Sequence, residues 1–199
     1  MKTKILPYLL FLIIIFVNIY MSIVIKKQTK TITEIHQKFQ NSISSFELTY
    51  NTSFHISGLS VSNLKCEKNG LVDDLKDIIG SKKKIIMYFE SSSCNPCINK
   101  TLKALIESGI SHSNIIIIGK YYNTKEYKID SKRRLLNNRI FKIVNTGINK
   151  TYPVFIGIID NDLIIKHAYV INKNDYSRTK IYLRKLNKLL YNEDYLFYN

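Results

Sequence analysis

Two thiols stand two residues apart in the segment Cys94-Asn95-Pro96-Cys97. A strand-like run, Lys84-Ile85-Ile86-Met87-Tyr88-Phe89, leads into them, and a helix-like run starts at Ile98. A Cys-x-x-Cys pair at a strand-to-helix junction suits dithiol–disulfide exchange. The first turn of a helix offers unpaired N–H groups and the positive end of the helix dipole, and both stabilise a thiolate. This position is expected to lower the pKa of Cys94 and make it the nucleophile. Cys97, one helical turn later, is placed to reach back and resolve a mixed disulfide. Pro96 falls in the first turn, where its missing N–H costs little.

The same pair has other readings. It could be half of a zinc site, but a structural zinc site takes four ligands, usually two such pairs or one pair with two spaced histidines. The chain offers one further cysteine, Cys66, and the scattered histidines His36, His55, His112 and His167, none of them at ligand spacing. No metal site is expected. The pair could also be inert. Cys66 reads as a half-buried strand cysteine, packing as a small hydrophobe. Its alternative is a partner in an intermolecular disulfide or a second redox thiol.

Positioning these thiols requires a sheet and helices, and the pattern supplies both. Residues 98–108 repeat apolar side chains at Ile98, Leu102, Leu105 and Ile106 with Gly109 as a stop, which predicts a helix. Ile115 to Ile118 is an unbroken apolar run between Asn114 and Gly119, as for a strand buried on both faces. Strand, helix and strand in that order predict a βαβ unit with a parallel pair. Asp130 to Phe141 is expected to be helical, with Lys132-Arg133-Arg134 on a solvated face. Tyr152-Pro153 then opens a strand over 154–159, Asn161-Asp162 turns, and 163–171 returns antiparallel. Asp175 is expected to cap a last helix carrying Ile181, Tyr182, Leu186, Leu189 and Leu190 inward. Upstream, Phe46 to Cys66 reads as one or two strands broken at Gly58, and Leu71 to Ile79 as a short amphipathic turn closed by Gly80.

Ile5 to Ile25 carries no charge in 21 residues. At about 1.5 Å per residue this spans a hydrocarbon core of roughly 30 Å. A cleavable signal would have a shorter apolar run ending in small residues. Here the exit is Ile23-Val24-Ile25-Lys26-Lys27, so residues 1–25 are expected to be an uncleaved transmembrane signal anchor held in the lipid bilayer by residues 5–25. Lysines flank both ends, and counting them does not decide orientation. The chemistry points outward, because disulfides persist outside the cytoplasm. Residues 26–48, with Ile32, Ile35, Phe39, Ile43 and Phe46 at helical spacing, predict a juxtamembrane helical stalk. Residues 49–199 are left for one domain.

The formal net charge is +15. Such a charge normally raises nucleic acid or anionic membrane as a partner. The lysines are spread along the chain beside many Ile, Asn and Tyr, all with A/T-rich codons, so a low-GC coding bias is expected to account for them. No phosphate loop, zinc-finger spacing or RNA-binding motif appears, and no nucleic-acid partner is expected.

The order β-α-β-α-β-β-α with the cysteine pair opening the first of these helices resembles the thioredoxin-like superfamily, and within it the membrane-anchored, extracytoplasmic thiol–disulfide oxidoreductases of the TlpA type. The resemblance covers roughly residues 56–190. It rests on Cys94-Asn95-Pro96-Cys97, on Pro153 before the terminal hairpin, on the element order, and on a long segment before Pro153. It implies an α/β, thioredoxin-like fold, a central mixed β-sheet flanked by helices, joined to the N-terminal transmembrane helix. It implies an enzyme that reduces disulfides of extracytoplasmic proteins through Cys94 and Cys97. These form the Cys94–Cys97 disulfide when oxidised, are recharged by a membrane electron donor, and need no cofactor. The implied location is the inner (cytoplasmic) membrane, single-pass, with the domain facing the periplasm. It further implies a cis Tyr152–Pro153 bond whose backbone binds substrate beside Cys94. The family's buried acid, six residues before the first cysteine, is here Tyr88. Glu90 is the nearest carboxylate and the candidate proton acceptor for Cys97, or else an exposed residue at a strand end. A copper-binding alternative would use Cys94, Cys97 and a histidine such as His167. A further alternative is an anchored scaffold without catalysis.

Overall fold

The computed structural model describes residues 5–144, 152–171 and 176–191. Two compact units divide the chain, residues 1–47 and residues 48–199. The first unit is helical throughout its described part: helix α1 starts at Ile5 and runs on to Ile56. It is long and apolar enough to cross a membrane. Asn18, polar in this apolar stretch, donates its side-chain amide to the Ile14 carbonyl one turn back at 2.8 Å, so that amide is satisfied within the helix. Beyond the apolar run, Ile32, Ile35, Phe39 and Phe46 stand exposed on the same helix.

The second unit is built on a seven-stranded mixed sheet. In chain order the strands are β1 (Lys65–Lys68), β2 (Leu71–Asp74), β3 (Lys84–Glu90), β4 (Ile115–Lys120), β5 (Ile140–Ile143), β6 (Phe155–Ile159) and β7 (Lys166–Val170). The helices are α2 (Leu75–Ile79), α3 (Asn95–Glu107), α4 (Thr124–Arg133) and α5 (Tyr176–Tyr191). Across the sheet the order is β2-β1-β5-β4-β3-β6-β7. β3 lies in the interior, parallel to β4 with Ile86 beside Ile116, and antiparallel to β6 with Met87 beside Ile156. β6 and β7 pair antiparallel. The strands β4-β3-β6-β7, with α3 joining β3 to β4 and α5 following β7, form the thioredoxin-like core expected from the element order.

Both faces of β3 are covered, which its unbroken apolar sequence requires. Ile85, Met87 and Phe89 face a layer containing Ile98, Leu102 and Leu105 of α3 and Leu183 and Leu186 of α5. Ile86 and Tyr88 face a second layer of Ile56, Leu64, Leu75, Ile79, Phe155 and Leu163. The period of two in β3 therefore meets the period of 3.6 in α3 on one side only, which fixes α3 over that face.

Four expectations are corrected. Residues 46–56 are helix, not strand. Thr52 donates its hydroxyl back to the Leu48 carbonyl at 2.7 Å, which lets a β-branched residue sit in a helix. The last turns are then held by packing, with Ile56 fully buried. The hydroxyl oxygens of Ser53 and Ser57 accept the N–H groups of Val170 and Ala168 on the sheet-edge strand β7, at 3.0 and 2.8 Å. This covers an edge that would otherwise present unpaired donors. The segment 71–79 is a strand followed by a short helix. Asn69 (φ 53°) and Gly70 (φ 84°) both take positive φ between β1 and β2, the two-residue hairpin turn that Asn-Gly favours. Helix α4 spans Thr124–Arg133 rather than starting at Asp130. Asn123 caps it through Glu126 N–H at 2.9 Å. Leu136, at φ 57°, then breaks the chain direction, and Ile140 and Phe141 enter the sheet. Finally, the described residues contain no cis peptide bond, so Tyr152–Pro153 is trans. The cis expectation rested on resemblance, while an X–Pro bond by itself favours trans by about 0.5–1 kcal/mol. Asp175, expected as a cap, lies outside the described residues.

Leu102 is completely buried between α3 and the sheet. Leu102→Ala is expected to destabilise the domain by about 2–5 kcal/mol, read as a lowered urea midpoint of the full chain in detergent.

Candidate functional site

The chain leaves β3 at Glu90 and reaches α3 through three serines. Each step of that loop is held. Ser91 N–H donates to the Lys120 carbonyl at 2.9 Å, so the loop starts by extending the β3–β4 pairing. Ser93 N–H donates to the Glu90 carbonyl at 2.8 Å, closing a tight turn. Tyr122 donates its hydroxyl to Ser92 Oγ at 3.3 Å. Cys94 is then the N-cap of α3, and its carbonyl accepts the N–H groups of Cys97 and Ile98 at 2.9 and 3.1 Å. Asn95 and Pro96 fill the first helical positions.

The two thiols have opposite exposures: Cys94 is exposed and Cys97 is buried at 7%. Thr101 donates its hydroxyl to the Cys97 carbonyl at 2.8 Å, stiffening the first turn behind the buried thiol. The arrangement is an accessible thiol with an inner thiol one turn away, at a helix N-terminus, which suits thiol–disulfide exchange.

Beneath the loop lies a polar group in an apolar surrounding. Glu90 is 2% exposed, which corrects the reading of it as an exposed strand-end residue. Its carboxylate accepts the Tyr88 hydroxyl at 2.9 Å and pairs with Lys120 Nζ at 3.4 Å. Lys120 is the register partner of Glu90 on β4, so the parallel pairing itself brings acid and base together. Tyr88 and Glu90 are two apart on one strand and so share a face. Burial, followed by the hydrogen bond to Glu90, pushes the Tyr88 phenol far above its ordinary pKa, so it acts only as a donor. Tyr88 therefore delivers its hydroxyl to an acid two residues further on the same strand.

Tyr152 joins this network from the other side. Its ring meets Tyr88 edge-on, with centroids 6.3 Å apart, and also meets Phe155 at 6.5 Å. The β3–β6 register, Tyr88 beside Phe155, directs Tyr152-Pro153 toward the end of β3 where the loop to Cys94 begins. Pro153 is exposed there. The structure thus brings Glu90, Tyr152 and Pro153 to the strand ends from which Cys94 departs.

Cys66 does not join them. It lies on β1, 1% exposed, and burial pushes its thiol up to about 12. His167 lies on β7 and is half-buried, with its pKa lowered first by burial and then by Lys166 and Lys83. Among the described residues no group of three or more His, Cys, Asp or Glu side chains is arranged to hold a metal ion.

One neighbour of the motif was not visible in the sequence. Arg134, expected on a solvated face, instead donates to the side-chain oxygens of Asn95 and Asn99, both at 2.8 Å. Those partners are 39 and 35 residues away, and no local pattern marks a contact of that range.

No family model matches the chain, and no curated protein matches it. Solved structures do resemble it. The thioredoxin domain of a thiol-disulfide oxidoreductase from Bacteroides vulgatus aligns at 10% identity over 60% of this chain and 91% of that one, with TM-score 0.42. The mitochondrial 2-Cys peroxiredoxin of Plasmodium falciparum aligns at 15% identity over 67% and 91%, with TM-score 0.44. A cysteine-to-serine mutant of peroxiredoxin Q from Xanthomonas campestris aligns at 10% identity over 67% and 99%, with TM-score 0.45. At these identities the chemistry of the site has to be read from its own residues.

A thiol with a pKa of about 12 is thiolate to roughly one part in ten thousand at pH 8. Iodoacetamide at pH 8 is therefore expected to modify Cys94 in the folded full chain and leave Cys66 intact, with Cys66 reacting only after denaturation. Peptide mass spectrometry reads both.

Proposed function

We propose that the chain is a membrane-anchored thiol–disulfide oxidoreductase that reduces disulfides of extracytoplasmic proteins. The observation that carries this reading is the asymmetry of the pair: Cys94 exposed at the N-terminus of α3 and Cys97 buried one turn behind it. The Cys94 thiolate attacks one sulfur of a substrate disulfide, forming a Cys94–substrate disulfide and releasing the other sulfur as a thiolate. Cys97, losing its proton, then attacks Cys94 Sγ. The Cys94–Cys97 disulfide forms and the second substrate sulfur leaves as a thiolate. Two electrons pass to the substrate, and its leaving thiolates take up two protons. Glu90, fixed by Tyr88 and Lys120 at the base of the loop, is the candidate acceptor for the Cys97 proton. Tyr152 and Pro153 are the candidate substrate-binding loop. A dithiol donor in the membrane returns the pair to its reduced form.

The apolar stretch of α1 supports a single-pass anchor in the cytoplasmic membrane, and the dithiol chemistry supports an outward-facing domain, where substrate disulfides persist. The Asn-Pro dipeptide resembles thioredoxin and favours the reducing direction.

Equilibrating the full chain in detergent with glutathione or dithiothreitol buffers, read by mass spectrometry, is expected to give a reversible two-electron couple near −250 mV or lower. A value near −120 mV would make it an oxidant, and absence of any reversible couple would refute the redox reading. Cys94→Ser is expected to abolish disulfide reduction. Cys97→Ser is expected to stop turnover at a trapped mixed disulfide, visible as an added mass on Cys94.

A further inference from the structure

Arg134 follows the last residue of α4, in the chain between β4 and β5. Its guanidinium makes four contacts. The two terminal nitrogens donate to Asn95 Oδ1 and Asn99 Oδ1 at 2.8 Å each. Nε pairs with Asp130 Oδ2 at 2.5 Å, and Cζ lies 5.5 Å above the Phe89 ring. Asp130 is itself fixed by the Tyr121 hydroxyl at 3.2 Å. The Arg134 side chain is only 11% exposed, so this is a seated group rather than a surface charge.

Its two amide partners are one turn apart on α3, and the first of them is the residue immediately after Cys94. A planar fork with fixed donor spacing grips two such acceptors as a unit, which a lysine cannot do. The cation is held at the helix end where the dipole is already positive; Asp130 on Nε offsets part of its field, and the remainder acts with the dipole in favour of an anion at the first turn.

We infer that Arg134 is a positioning residue for the dithiol: through Asn95 and Asn99 it fixes the first turn of α3 and adds a permanent positive charge that stabilises the reduced, thiolate form of Cys94. This rests on the proposed thiol–disulfide chemistry and names the residue that tunes it. Asn95 then acts as the handle by which the segment between β4 and β5 acts on the nucleophile.

The test uses the full chain in detergent with wild type, Arg134→Met, Arg134→Lys, and the surface pair Asn95→Ala with Asn99→Ala. Loss of the cation is expected to shift the equilibrium with glutathione toward the disulfide by about three- to tenfold, tenfold being about 30 mV for a two-electron couple. It is also expected to slow alkylation of Cys94 by a similar factor, compared on the rising limb of each variant's own rate-against-pH profile. Arg134→Lys is expected to recover part of both changes by keeping the charge. The double alanine variant, which keeps the cation on Asp130 and Phe89 and removes only its grip on α3, is expected to move both readouts in the same direction by a smaller factor, and it does so independently of whether Arg134→Met folds. Wild-type values in both folded variants would overturn the inference. A wild-type chain with no reversible couple would instead refute the redox function. In that case the Cys94 alkylation rates still decide whether Arg134 acts on the thiol.

Discussion

Glu90 is the one charged side chain among the described residues that is fully buried, and the arrangement around it organises the site. An isolated carboxylate in an apolar interior is very costly, so it needs donors. The sheet supplies them from two directions: Tyr88 from the same strand and Lys120 from the parallel neighbour. Satisfying Glu90 therefore ties together the C-terminal ends of β3 and β4. The loop of three serines that launches α3 leaves from that tied point, and its first N–H bonds the Lys120 carbonyl. The exposed cysteine owes its location to this chain of contacts, beginning with one buried acid.

The site is built from both layers of the domain. Helix α3 and the apolar residues of β3 lie on one side, where Ile98 and Leu102 seat the helix. Tyr88, Tyr152 and Phe155 form an aromatic group on the other, with the Tyr88 and Phe155 rings stacked at 5.2 Å. Gly119 is packed closely against two rings: a Cβ there would stand 2.4 Å from the Tyr121 ring and 3.0 Å from Phe89. Tyr121 in turn holds Asp130, and Asp130 holds Arg134. A small residue in β4 is thus linked, through packed rings and one ion pair, to the side chain that grips Asn95.

Much of this was legible from local pattern. The unbroken apolar run of β3, the 3.6-residue period of α3 and the isoleucine run of β4 are short-range signals, and each is matched by an element. Cys94 and Cys97 were legible for the same reason, since a helix start and a two-residue spacing are local. The hairpin at Asn69-Gly70 has a local signal too, two residues that accept positive φ. The strand reading of 46–66 failed differently. Its Thr and β-branched residues do favour strand, yet the buried Ile56 and the Ser53 and Ser57 contacts to β7 hold its first half in a helix. Tertiary contacts outweighed propensities worth a few tenths of a kcal/mol per residue.

By itself the sequence determined the class of fold, an apolar helix of spanning length and the two thiols spaced at a helix start. Those depend on periodicity, length and residue type within a few neighbouring positions. Only the tertiary structure decided that Glu90 is buried and paired, that Tyr88 serves it as a donor, that Tyr152–Pro153 is trans, and that Arg134 turns inward onto Asn95 and Asn99. The difference has a physical cause. A charged residue at a strand or helix end reads the same whether it meets water or a partner, and the partner is chosen by packing between segments far apart in the chain.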